Sequence, residues 1–102
     1  MNRDEWNWAT GRVIFWDLDE FDPQRSTPEQ ASVLKEDLLL VAFQNGRTLD
    51  VGWYPSFDPQ GQFLVAIAKD GNWDYLEFEE AAKSGKELGE VLTRAIHLAA
   101  SA

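Results

Sequence analysis

The chain has 102 residues, 44% hydrophobic and 13% aromatic, with 18 acids against 9 bases for a net charge of -9. That size allows one domain with one core, and the composition is that of a folding chain rather than a disordered one. No apolar run reaches the ~20 residues of a bilayer span, no cysteine offers a disulfide, a thiolate metal site or a thiol nucleophile, and the negative field repels phosphate backbones.

The N-terminal "MNRDEWNWATG" lacks the basic, apolar and small-residue order of an export signal. The expectation is a soluble, cytoplasmic protein that binds neither membrane nor nucleic acid. Trp6 and Trp8 stand in this polar stretch as aromatics available for contact. "GRVIFWDL" then reads as a strand of about six residues, bounded by Gly11 and by the acids Asp17, Asp19, Glu20 and Asp22. In the turn-rich stretch that follows, Thr27, Pro28 and Gln30 have the spacing of a capping box, which predicts a short helix ending near Lys35.

"DLLLVAF", the turn Asn45-Gly46 and "RTLDVGWY" predict an antiparallel hairpin with strands 37 to 43 and 47 to 54. In the second strand Leu49, Val51 and Trp53 share one face, while Asp50, Gly52 and Tyr54 share the other. Pro55 ends the strand, and "SFDPQGQ" forms a loop set by Pro59 and Gly61. "FLVAIAKD" is apolar on both faces, as expected of a central strand. After the turn at Asp70, Gly71 and Asn72, "WDYLEF" is expected to close the meander, with Trp73 in the sheet beside Trp53. Ser84 and Glu87 repeat the capping-box spacing, and Leu88, Val91, Leu92, Ala95, Ile96 and Ala99 form one helical stripe. Lys86 with Glu90, and Glu90 with Arg94, are spaced as i,i+4 pairs on the outer face. The fold predicted is α+β in two layers, an antiparallel meander of four to five strands with a C-terminal amphipathic helix and one short helix.

A strand running into Asp17-Leu18-Asp19 resembles the nucleophile and metal-ligand segment of aspartate-dependent phosphatases. Those enzymes need a parallel sheet and a downstream hydroxyl, lysine and acidic pair. Here Glu20-Phe21 stands where Gly-Thr is required, and the chain after residue 37 is a meander. The acidic run also lacks the sixth-position Gly and twelfth-position Glu of a helix-loop-helix calcium loop. His97, the only histidine, falls opposite the apolar stripe. No catalytic set assembles, and no metal or cofactor is expected.

The five tryptophans are a more informative feature. Tyr54 and Phe57 flank the Pro55 loop, and exposed aromatics beside carboxylates suit a protein-binding surface that is steered by charge. The segment "LDVGWYPSFDPQGQFLVAIAKDGNW", residues 49 to 73, resembles small immunity proteins of bacterial toxin-immunity systems. That resemblance implies tight, non-catalytic blockade of a cognate protein toxin with a basic binding surface. The candidate contact residues are Asp17, Asp19, Glu20, Asp22, Tyr54, Phe57, Asp74 and Glu77, with Glu79 and Glu80 extending the second acidic group. The alternatives are a small adaptor that binds a peptide or its own copy, and a metal-dependent hydrolase using Asp17 and Asp19. The oligomeric state stays open.

Overall fold

In the computed structural model, which describes residues 1 to 101, five strands form one antiparallel sheet in chain order. They are β1 (Arg12–Trp16), β2 (Leu39–Ala42), β3 (Arg47–Tyr54), β4 (Gln62–Lys69) and β5 (Phe78–Ala82), followed by the helix α1 (Gly85–Ala100). Short 3-10 turns lie at Arg3–Glu5 and Pro28–Val33. The two-layer α+β meander expected from the sequence is the observed fold.

Alternation along the strands sorts the side chains into two unlike faces. Leu49, Val51 and Trp53 of β3 and Phe63, Val65 and Ile67 of β4 are buried on the inner face, where α1 packs against β3, β4 and β5. The helix contributes Leu88, Leu92, Ala95 and Ala99 from the stripe its periodicity predicts. Ser84 caps it by accepting from the Glu87 amide, and the Glu87 side chain returns to accept from the Lys83 amide. Residues between β1 and β2 close the core at one end, where Phe21 meets Phe63 edge-on and Trp53 does the same from the other side. Trp53 Nε1 donates to the Asp58 carbonyl, so its one polar atom is satisfied.

The β2–β3 turn uses Gly46 rather than both members of the Asn-Gly pair. Gly46 alone takes a positive φ, 89°, and the Phe43 amide donates to the Arg47 carbonyl across a three-residue loop. Asn45 does a different job: its Nδ2 donates to the carbonyls of Ala99 and Ser101 at the end of α1. It satisfies carbonyls that every helix end leaves unpaired, and Arg47 Nη1 adds a bond to Ser101 O.

Several expectations are corrected. "WDYLEF" is not the closing strand, because residues 70 to 77 form an extended turn with positive φ at Asp70 and Gly71, and β5 begins at Phe78. Trp73 therefore lies outside the sheet, 45% exposed. The Thr27 capping box does not form. Gln30 is buried and instead clamps the Asp22 backbone, accepting from its amide and donating to its carbonyl, while Thr27 Oγ1 is buried without a partner. The short helix is 3-10 and stops at Val33. Arg94 pairs across to Glu80 of β5 rather than with Glu90, and Lys86 forms no ion pair among the described residues. Trp6 and Trp8 are half-buried against the core, Trp6 tilted against Trp8 and Trp8 edge-on to Trp16, at centroid separations of 6.1 and 6.0 Å.

Gly52 marks a close approach of backbone to backbone. A Cβ there would lie 2.0 Å from the Glu36 carbonyl oxygen, because the chain entering β2 crosses the outer face at that point. Gly52→Ala is expected to destabilise the protein by ~2 to 3 kcal/mol through forced displacement of residues 36 and 37. Ser84→Ala, which loses only a helix cap, should cost about 1 kcal/mol. Urea denaturation of both variants measures the difference, and equal midpoints would refute the close approach.

Candidate functional site

The outer face of the sheet carries no helix among the described residues. One row crosses it from edge to edge: Phe15 opposite Leu40, Leu40 opposite Asp50, Asp50 opposite Ala66, and Ala66 opposite Glu79. A bulge between Val13 and Phe15 resets the register of β1 so that Phe15 joins this row, 44% exposed. Beside Asp50 the chain crossing over Gly52 brings in Glu36 and Asp37, and Tyr54 Oη donates to the Glu36 carbonyl at 3.3 Å. The result is a shallow cleft of 180 Å³ lined by Phe15, Asp37, Leu39, Leu40 and Asp50.

Asp50 is the unusual member. Aspartate is depleted in strands, yet this one sits in the middle of the central strand β3, half-buried between apolar neighbours. None of the ion pairs among the described residues includes it. Burial pushes its carboxyl up to about 6, and the Asp37 charge adds to the rise. The Tyr54 phenol is raised as well, first by burial and then by the charges of Asp50, Glu36 and Asp37. No pattern of motif or spacing marks Asp50 as functional. Its one sequence signal is an acid at an outward position of a strand whose inward Leu49, Val51 and Trp53 are apolar.

The residues singled out from the sequence fall into two separate groups. Asp17, Asp19, Glu20, Asp22, Tyr54 and Phe57 follow or end β1 and β3, which finish at the same end of the sheet, and the Phe57 amide donates to the Leu34 carbonyl there. Asp74 and Glu77 lie at the opposite end, where Glu77 pairs with Arg47 at 2.6 Å. Within the first group several carboxylates already have partners. Asp17 accepts from Lys35 Nζ at 2.5 Å, a contact that raises the Lys35 ammonium above its ordinary value. Asp19 accepts from Trp16 Nε1 at 2.7 Å, and Asp22 accepts from the Gln24 amide. Glu20 and Phe57 are exposed, with Phe57 held at a positive φ of 63°.

Asp17 and Asp19 thus stand at the end of an antiparallel edge strand, engaged with a lysine and an indole. Among the described residues no three histidine, aspartate or glutamate side chains are gathered as for a metal ion. Likewise, no helix among them is long and apolar enough to cross a membrane. Comparison of the chain with family models, with curated proteins and with solved structures finds no match.

The raised Asp50 carboxyl has a definite sign in stability. A folded-state value near 6 against an unfolded value of 3.8 means that the native state holds the proton more tightly. That contribution is fully present below about pH 4 and is lost as pH rises through 6. Because the carboxyl is still partly in water, the amplitude is ~1 kcal/mol rather than the full value of a two-unit shift. Asp50→Asn should therefore be more stable than the parent at pH 7.5 and nearly equal to it at pH 4. Thermal melts of both proteins across that range provide the check, and a pH-independent difference would overturn the assignment.

Proposed function

We propose that this protein is an immunity protein, which binds a basic protein toxin and neutralises it by occupying its surface rather than by chemistry. The observation that carries this reading is the distribution of charge. Among the described residues, the ion pairs take up Arg3, Arg25, Lys35, Arg47 and Arg94, each with one carboxylate. Five of the nine bases are thereby used, and thirteen of the eighteen acids are left without an ion-pair partner. A surface so unbalanced attracts a basic partner over several ångströms and speeds its association.

Aromatic side chains supply the second ingredient of a protein contact. Phe57 at 54% and Tyr75 at 79% exposure join Phe15 and Trp73 at the surface, where large rings contribute much buried area for little lost freedom. The resemblance of residues 49 to 73 to toxin-immunity proteins agrees in direction.

Co-expression with the product of the gene that precedes it tests the function directly. Cells are expected to survive only when this protein is present, and equal killing with and without it would sink the reading. Reversing the charges of Asp17, Asp19, Glu20 and Asp22 together should slow association several-fold and flatten its dependence on ionic strength. Stopped-flow rates at two salt concentrations measure this, and an unchanged rate removes that loop from the contact.

A further inference from the structure

We propose that the uncovered face of the sheet is the surface that docks the protein partner, and that its cleft receives a long basic side chain of that partner. The inference rests on the reading above that the partner is basic, and it adds the place of contact and the chemistry of the anchor. The cleft matches such a side chain along its length. Phe15 and Leu40 offer an apolar wall for the methylene stem, while Asp50 and Asp37 stand beside it to meet the charge. A guanidinium or ammonium there also lies within reach of an aromatic face, an arrangement favourable to cations.

Charge complementarity selects this occupant over others. On the strands of this face the acids are Asp50 and Glu79, with Glu36 and Asp37 crossing beside them, and the base is Arg12 at the far end of β1 opposite Ala42. A second copy of the chain would bring one Asp50 toward another in an apolar setting, which like charges oppose. A phosphate backbone would be repelled by the same groups. A basic side chain alone both relieves the desolvated carboxylate and covers the apolar wall. Leu64 and Ala81, on either side of the buried Ala66, continue the apolar surface of this face toward β5.

The probe is the peptide acetyl-Leu-Arg-Leu-Arg-Leu-amide, with a second peptide in which citrulline replaces each arginine and so removes charge at nearly constant shape. Titration into the isotopically labelled full chain should shift the amide signals of Phe15, Leu40, Asp50 and Leu64. The citrulline peptide should bind at least tenfold more weakly. Phe15→Ala and Asp50→Asn should each weaken the arginine peptide threefold or more, whereas Glu90→Gln, exposed on α1 on the other side of the sheet, leaves it unchanged. Phe15 lies on the edge strand outside the buried core, so its variant folds, and Asp50→Asn keeps the shape of the side chain. Signals that shift instead at residues 17 to 22 or 73 to 77, or equal binding of the two peptides, would overturn the proposal. The toxin reading fails separately: peptide binding in the cleft without protection of cells removes the toxin and keeps the docking face. Protection that survives Phe15→Glu removes the docking face and keeps the toxin.

Discussion

A single helix must bury one whole side of a five-stranded sheet, and most of the chain is arranged around that constraint. Leu49, Val51 and Trp53 of β3 and Phe63, Val65 and Ile67 of β4 meet the stripe of α1. The helix reaches β3, β4 and β5 but not the β1 side, so the segment between β1 and β2 supplies the rest of the cover with Leu18, Phe21, Leu34 and Leu38. Trp6, Trp8 and Trp16 seal the margin. The one long link, between β1 and β2, packs on the inner side with α1, so the outer face receives no second layer, and its composition reflects that. Ala42, Gly52, Ala66, Ala68 and Ala81 present little apolar area to water.

Asp50 belongs to the same logic. A charge in the middle of an open sheet face discourages stacking of one copy on another, as inward-pointing charges do at sheet edges. It also leaves a carboxylate in surroundings that favour its proton, so the face is held in a state that any complementary cation improves. On the proposed reading, the side chain that opposes stacking of one copy on another is also the one that receives the basic partner.

The fold was legible in the sequence because its signals were local. Alternation in residues 47 to 54 and 62 to 69 and the helical stripe after Ser84 each arise within one element, and Gly46 and Gly52 are placed by backbone needs. What was not legible depends on partners distant in the chain. Gln30 looked like half of a capping box, but its amide is spent on Asp22, eight residues earlier. Trp73 looked like a strand residue because aromatic content suggested it, yet positive φ at Asp70 and Gly71 turns the chain away from the sheet. Asp17 and Asp19 drew the eye as a motif, whereas Asp37 and Asp50 meet only through a crossing over Gly52 that no spacing in the sequence encodes.

The bond from Asn45 to the end of α1 joins residues 54 positions apart. During synthesis the hairpin turn therefore waits for its partner, and the inner stripes of β3 and β4 stay open to water until residues 85 to 100 have been made. At ordinary translation speeds those sixteen residues take about 1 to 3 s. Until α1 docks, the inner stripes of β3 and β4 are an unprotected apolar surface, and the net negative charge of the chain opposes the association of such surfaces.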